Sequence, residues 1–242
     1  MCTVTFIPVK DSIYITSSRD EKNSRKNAAP PSLNVYAGKK MIYPTDGNAG
    51  GSWIAMKENG DIAVLLNGAF FNHIPQPPYR KSRGKILLDI LAGDFPTETF
   101  LKTKLSNIEP FTIIAFEQKQ LYEFRWDGNE KFYRDLPADR DHIWSSATLY
   151  DELTIKKRET WFSSFIKSTA IPTQLDILNF HKTGGEGDKK NDFLMQREGA
   201  YSTVSITGIM LNADRGLMKY IDLKNNRNAE MNIRLSALSA PV

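Results

Sequence analysis

The stretch CTVTFIPVKDSIYITSSRD, residues 2–20, decides the fold. Residues 3–9 are mostly apolar or β-branched, and residues 12–17 alternate as Ser-Ile-Tyr-Ile-Thr-Ser, so both runs are predicted to be strands. A short polar turn around Asp11 separates them, which indicates an antiparallel hairpin. In such a hairpin the end of the second strand lies beside the start of the first, so chemistry placed at these two ends is brought together.

Cys2 is the single cysteine of the chain and stands directly before the first predicted strand. Initiator methionine is usually removed before a small residue, so we expect the mature chain to begin at Cys2. Its α-amine then has a reference pKa of about 7.7–8.0 and its thiol one of about 8.5, which suits proton transfer near neutral pH. The amine can act, directly or through one water, as the base that activates the nucleophile. The alternative is a buried cysteine without a chemical role.

Arg19 and Asp20 end the second predicted strand and are expected beside Cys2. Arg19 would lower the pKa of the thiol by its charge, or bind a substrate carboxylate through two parallel hydrogen bonds. Asp20 would accept a hydrogen bond from the α-ammonium group or hold Arg19. Because successive strand residues point to opposite faces, only one of the two is expected to face the thiol directly. The alternative is a surface ion pair of little energetic value.

The rest of the chain indicates strands, helices, strands, helices and strands in that order. We predict strands over 52–57, 61–67, 111–117, 121–126, 142–146, 201–211, 217–223 and 229–235, and helices over 80–91, 97–105, 151–169 and 173–181. Residues 19–32 are polar, contain two prolines and are predicted to be a loop. The order is not a regular βαβ alternation, so the fold class is α+β, with one domain over residues 1–242. Whether the first and last strands share a sheet stays open.

Composition excludes several classes of protein. Hydrophobic residues make up 40% of the chain and charged residues 25%, which is typical of a folded domain. The net charge of +4 is mild and no nucleic-acid-binding module is recognisable, so no nucleic-acid partner is expected. The apolar runs are too short for stable membrane insertion and no signal peptide is evident, so a cytoplasmic protein is expected. The three histidines are scattered without metal-ligand spacing, so no metal centre is predicted.

Five short segments follow one another in the first ninety residues: Met1-Cys2-Thr3-Val4-Thr5-Phe6, Ser18-Arg19-Asp20-Glu21, Gly50-Gly51-Ser52-Trp53, Leu65-Leu66-Asn67-Gly68 and Ser82-Arg83-Gly84-Lys85-Ile86-Leu87. In order and spacing they resemble the NRDE family, also called transport-and-Golgi-organisation-2-like. The resemblance implies a four-layer αββα sandwich of the N-terminal-nucleophile (Ntn) hydrolase type. It also implies kinship with choloylglycine hydrolases and penicillin V acylases.

In those enzymes a first cysteine attacks an amide carbonyl, supported by an arginine and an aspartate near the end of the second strand. By position, Cys2, Arg19 and Asp20 match these roles. Asn67 matches a region that helps to form the oxyanion hole, where one donor is worth about 3–4 kcal/mol. Ser18 and Ser146 depart from the family pattern, in which asparagine is usual at both places.

Three further residues are predicted to contact a substrate. Trp53 follows two glycines, where a close backbone approach is feasible, and would line a pocket near Cys2. Arg83 belongs to a basic cluster at a predicted helix start, where a phosphate or carboxylate would gain from the helix dipole. The alternative for Arg83 is a solvated basic face. Ser146 would donate one hydrogen bond in place of the longer asparagine of relatives.

The sequence therefore predicts an N-terminal cysteine hydrolase or acyltransferase that acts on an amide or thioester of a small molecule and requires no cofactor. The alternative is a non-catalytic binding or carrier protein for haem or an acyl-CoA-like ligand, because eukaryotic members of the family are linked to the handling of such ligands. For haem, His73 is the histidine best placed to act as a single axial ligand. The oligomeric state stays open.

Overall fold

The structure, a computed structural model, describes residues 2–235. Its strands are β1 (Thr3–Val9), β2 (Ser12–Lys22), β3 (Ala29–Tyr36), β4 (Lys39–Thr45), β5 (Ile54–Lys57), β6 (Ile62–Asn67), β7 (Phe111–Glu117), β8 (Gln120–Trp126), β9 (Lys131–Leu136), β10 (His142–Ser145), β11 (Gln196–Arg197), β12 (Tyr201–Leu211), β13 (Arg215–Asp222) and β14 (Arg227–Arg234). Its helices are α1 (Arg83–Ala92), α2 (Pro96–Lys102), α3 (Glu152–Ser168) and α4 (Gln174–Thr183).

The strands form two seven-stranded antiparallel sheets. The first sheet has the order β10-β1-β2-β12-β13-β14, with the short β11 paired to β12. The second sheet runs β3-β4-β5-β6-β7-β8-β9, so its neighbours in space are also neighbours in sequence. Helices α1 and α2 pack on the second sheet, and α3 and α4 pack on the first. Strands β1, β13 and β14 of the first sheet contact β6 and β3 of the second, which completes a four-layer αββα sandwich.

Strand β1 shows how the sequence pattern makes an interior strand. Val4 and Phe6 point into the main apolar core, which lies between the sheets and extends under α1. Thr3 and Thr5 point to the opposite face, where they meet polar groups buried under α3 and α4. Both faces are covered, so the strand is buried on each side and cannot shift register by one residue without exchanging its apolar and polar faces.

The predicted hairpin is present, and the register of β1 with β2 pairs Thr3 with Ser18. The first and last strand groups do share a sheet, since β2 pairs with β12 along most of its length. The predicted loop over residues 19–32 is wrong at both ends. Strand β2 continues to Lys22 because β12 supplies its hydrogen-bonding partners, and β3 already begins at Ala29 despite its prolines.

Strands β4 and β9 are absent from the sequence prediction. Strand β9 is an edge strand with mostly exposed side chains, so it carries no apolar alternation for a pattern to detect. The predicted strand over 229–235 is observed as β14. The prediction of one domain over residues 1–242 stays a prediction, and residues 1 and 236–242 lie outside the described residues.

Candidate active site

Cys2 lies directly before β1 and is completely buried. Its carbonyl accepts a hydrogen bond of 3.0 Å from the backbone N–H of Ser146, which extends the pairing of β1 with β10 by one residue. On the other side, the register that pairs Thr3 with Ser18 places Arg19 opposite Cys2. The structure thus brings Cys2, Arg19 and Asp20 together at one end of the hairpin, as the sequence predicts.

The Cys2 thiol is buried, and its burial disfavours the thiolate. Burial raises the pKa of the thiol to about 12; the Asp20 carboxylate acts in the same direction and the Arg19 guanidinium in the opposite one. Because the thiolate is the nucleophilic form, a cysteine in this state is inert at neutral pH. A reactive Cys2 therefore requires an additional positive charge close to the sulfur.

Arg19 enters a cluster of charged side chains. Its Nη2 contacts the Asp46 carboxylate and lies 3.6 Å from Glu21 Oε2, and its guanidinium carbon stands 4.4 Å from the centre of the Trp53 ring. Arg25 binds the same Asp46 carboxylate through Nε and Nη2, at 2.8 and 2.9 Å. Burial opposes the ionised form of Asp46, but the Arg25 contacts and two backbone N–H groups outweigh it and lower the pKa of this carboxyl group.

Asp20 is held by different groups. The Tyr150 hydroxyl donates to its Oδ2 and the Thr203 hydroxyl to its Oδ1, both at 2.6 Å. All three residues are buried. Arg19 and Asp20 are adjacent in β2, yet Arg19 forms ion pairs whereas Asp20 accepts hydrogen bonds from uncharged hydroxyl groups.

Asn67 and Ser146 meet next to Cys2. The Ser146 hydroxyl donates to the Asn67 carbonyl at 2.9 Å, while its backbone N–H holds Cys2. The Asn67 side-chain Oδ1 is buried and has no hydrogen-bond partner among residues 2–235. Rotation of the amide by 180° presents Nδ2 at that position instead, since the two orientations fill the same space. The Asn67 amide is thus an uncommitted polar group, which is what an oxyanion donor must be before substrate binds.

A cavity of about 720 Å³ opens beside these residues. Arg19, Asp20, Trp53, Asn67 and Arg83 line it, as the predicted catalytic or substrate-contacting roles require. Its lining does not include Cys2 or Ser146, both fully buried; Ser146 instead ties Cys2 to β6 through its two hydrogen bonds.

Arg83 sits in the first turn of α1 at the cavity wall. Its Nη2 binds Glu109 at 3.0 Å and its Nη1 donates to the Pro110 carbonyl at 3.2 Å. Burial lowers the pKa of Arg83, and Glu109 partly restores it. The neighbouring Lys81 binds Asp89 at 2.5 Å. Arg83 and Lys81 are therefore already paired with acidic residues of the chain, rather than forming a solvated basic face.

Sequence reasoning missed several residues of the site. Asp46 lies in a turn before the Gly-Gly-Ser-Trp segment. An acidic residue at this place in the sequence could have indicated an ion pair with Arg19. Tyr150 and Thr203 are 130 and 183 residues from Asp20 and gave no local signal. The role of Ser18 also emerges only here, because its hydroxyl contacts Nδ1 of the buried His181 at 2.7 Å.

The histidines bear on metal and haem binding. Within residues 2–235 no three His, Cys, Asp or Glu side chains cluster closely enough to hold a metal ion. His73 Nε2 lies 3.3 Å from Glu109, and His142 Nε2 bonds the Pro137 carbonyl at 2.7 Å. His181 is enclosed between Thr5 and Ser18. Haem binding stays a prediction.

No helix in the described part of the chain is long and apolar enough to span a bilayer.

Two antiparallel sheets packed between helical layers, with the cysteine at the start of an interior strand, define an Ntn-hydrolase fold. Solved structures agree. An N-acylethanolamine-hydrolyzing acid amidase ortholog from Caenorhabditis elegans superposes with a TM-score of 0.59 at 13% identity, covering 86% of this chain and 92% of its own. A mutant of the conjugated bile acid hydrolase from Clostridium perfringens gives 0.53 at 10% identity, covering 96% and 92%. A second variant of that hydrolase gives 0.53 at 10% identity, covering 99% of each chain.

The family can also be stated. The family model for Transport and Golgi organisation 2 matches residues 1–222, and the chain belongs to this family. No similar sequence was found among proteins with curated descriptions. The solved structures share too little sequence with this chain to carry over more than the fold.

Proposed function

We propose that this protein is an N-terminal cysteine hydrolase or acyltransferase that acts on an amide or thioester of a small molecule. One observation carries the proposal: Cys2 stands at the start of an interior strand, with Arg19 opposite it and the unpaired amide oxygen of Asn67 close by, and both Arg19 and Asn67 line the cavity. The cavity volume of about 720 Å³ lies in the range of small-molecule sites.

Activation of the thiol depends on removal of Met1. While a peptide bond precedes Cys2, burial keeps the pKa of the thiol near 12. Removal of Met1 converts that bond into an α-amine on the same residue, and a cation so close to sulfur favours the thiolate. Asp20 then has a partner for its charge, since a carboxylate beside Cys2 accepts a hydrogen bond from the ammonium group.

The reaction follows from these groups. The Cys2 sulfur forms a bond to the substrate carbonyl carbon while the α-amine takes the thiol proton. The Asn67 amide donates to the oxygen that becomes negative, and Arg19 contributes positive potential. Collapse of this tetrahedral intermediate breaks the carbon–nitrogen or carbon–sulfur bond of the substrate, and the ammonium group gives its proton to the leaving group. Water, or a second acceptor in a transferase, then attacks the acyl-cysteine thioester with the amine again as base. The bond between the acyl carbon and the Cys2 sulfur breaks, the acyl product leaves, and the ammonium returns its proton to the sulfur.

The decisive experiment compares two forms of the same chain, one with Met1 and one without, distinguished by intact mass. Each is incubated with an acyl-transferring cysteine probe, and acyl-enzyme is counted by mass. Cys2 is the only cysteine, so every thiol adduct reports on it. We expect the form without Met1 to be acylated far faster than the form that keeps Met1, and far faster than the same protein unfolded in denaturant. Equal rates for native and unfolded protein would remove the basis of the proposal.

Substitution of Asn67 tests the oxyanion role. Asn67→Ala is expected to slow acylation about 10²–10³-fold, because one donor to the developing charge is lost. Asn129→Ala is the matched control, because Asn129 lies in an exposed turn and does not line the cavity. It is expected to leave the rate unchanged. Similar rates for both variants would exclude Asn67 from the reaction.

The carrier alternative makes a different prediction. A binding protein for haem or an acyl-CoA-like ligand would take up such a ligand in a saturable, stoichiometric manner and form no acyl-cysteine. Titration with haem and with an acyl-CoA, followed by intact mass, separates the two functions, because only the hydrolase leaves an adduct on Cys2 or releases product.

A further inference from the structure

Both oxygens of the Asp20 carboxylate are occupied by uncharged donors. Tyr150 and Thr203 each hold one oxygen at 2.6 Å, and they approach from segments on either side of β2. A carboxylate held at two points cannot rotate, so its position relative to Cys2 is fixed. The two hydrogen bonds also spread part of the negative charge of the carboxylate onto its hydroxyl donors.

The ring of Tyr150 is held in place by Arg158. The Arg158 guanidinium carbon lies 3.7 Å from the centre of the Tyr150 ring. Arg158 is fully buried and donates to the carbonyls of Asn191 and Asp192 and to the Thr3 hydroxyl. Burial, with the nearby Asp20 charge, holds the pKa of Tyr150 well above its usual value, so its hydroxyl remains a donor at neutral pH.

We propose that Tyr150 is a positioning residue for the reaction, whose buried hydroxyl holds the Asp20 carboxylate in place beside the Cys2 nucleophile. The inference rests on the proposed function and deepens it. Tyr150 precedes Asp151, the residue that caps α3, so the helix start fixes the tyrosine backbone. Its neighbours Thr148 and Leu149 line the cavity and Tyr150 does not, so it acts through Asp20 rather than on a substrate.

The readout is the reactivity of Cys2 and does not need a substrate. Tyr150→Phe removes one oxygen atom and keeps the ring that packs on Arg158. In protein without Met1, the rate of Cys2 alkylation by iodoacetamide is measured from neutral to alkaline pH. We expect the midpoint of this profile to rise by about one pH unit, and alkylation at neutral pH to slow about tenfold. The reason is that the uncompensated Asp20 charge holds the proton on sulfur more tightly.

Tyr43→Phe is the matched control, because Tyr43 is also buried, at 7% exposure, but lies in β4 of the second sheet and is not among the residues that hold Asp20. It is expected to keep the wild-type profile. Once a substrate is known, Tyr150→Phe should lower kcat and leave KM unchanged. An unshifted alkylation profile for Tyr150→Phe in folded protein, or a change in KM alone, overturns the proposal.

Thr203 supplies a second test that does not depend on the folding of the tyrosine variant. Thr203→Ser retains the hydroxyl and should keep the wild-type profile, whereas Thr203→Val removes it at constant shape and should shift the midpoint upward. If Thr203→Val behaves like Thr203→Ser, fixation of Asp20 does not govern the thiol. These alkylation results stand even if no turnover is found, so failure of the proposed function and failure of this inference are distinguishable.

Discussion

Arg19 and Asp20 are neighbours in β2, yet the two sides of the strand hold them by different means. On the cavity side, Arg19 shares the Asp46 carboxylate with Arg25, which is 30% exposed. On the helix side, Asp20, Tyr150 and Arg158 are buried and contact hydroxyls, an aromatic ring and backbone carbonyls. On the cavity side a second arginine still pairs with Asp46 if one is lost, whereas on the helix side Arg158 alone serves the Asn191 and Asp192 carbonyls and the Thr3 hydroxyl. We infer that the helix side stabilises the fold and that the cavity side tolerates change.

The largest expected effect comes from Arg158 on the helix side. Arg158→Leu leaves the Asn191 and Asp192 carbonyls and the Thr3 hydroxyl without their donor in a buried place. We expect the free energy of unfolding to fall by about 3–5 kcal/mol. Urea unfolding measures it. Arg134→Leu, at a side chain 62% exposed, is the control and should cost less than about 1 kcal/mol. Equal losses would contradict the comparison.

His181, on the same side, predicts a pH dependence. Burial, with Arg158 nearby, lowers the pKa of His181 to about 3, so the folded state keeps it neutral while the unfolded chain binds a proton below pH 6.5. Its stabilising contribution is therefore complete above pH 6.5 and is lost towards pH 3, at about 1.4 kcal/mol per pH unit. Between pH 7 and 5 wild type should lose about 2 kcal/mol more than His181→Asn. Parallel losses would show that His181 is not the titrating group.

Arg19, on the cavity side, should affect reactivity more than stability. Arg19→Leu leaves Asp46 paired with Arg25, so the free energy of unfolding should fall by only about 1–2 kcal/mol. Alkylation of Cys2 should slow about tenfold at neutral pH, because the arginine charge lowers the pKa of the thiol. Arg19→Lys restores the charge and should recover most of the rate. A stability loss as large as that of Arg158→Leu would refute redundancy on this side.

Arg25 should have the smallest effect. It is partly exposed and shares its carboxylate with Arg19, so Arg25→Ala should lower the free energy of unfolding by less than about 1 kcal/mol. Thermal unfolding at low and high salt measures it, and the difference from wild type should shrink as salt screens the pair. A larger, salt-independent loss would assign Arg25 a structural role.

The hairpin and its chemistry could be predicted because the information is local. Two strands and a turn within twenty residues fix which residues oppose Cys2. The end of β2 could not be predicted, since its polar residues are strand-forming only when β12 lies alongside. Tyr150 and Thr203 could not be found for the same reason: their role comes from contacts across more than a hundred residues, which no periodicity records.

The order of strands also has a consequence for biosynthesis. Every strand of the second sheet pairs with its neighbour in sequence, so residues 29–136 hold all the pairing partners that this sheet needs as they leave the ribosome. The first sheet must wait, because β2 pairs with β12 near the far end of the chain. Low contact order favours early formation, so we expect amides of the second sheet to be protected first in pulsed hydrogen exchange. The first residues to be translated are thus among the last to reach their final surroundings.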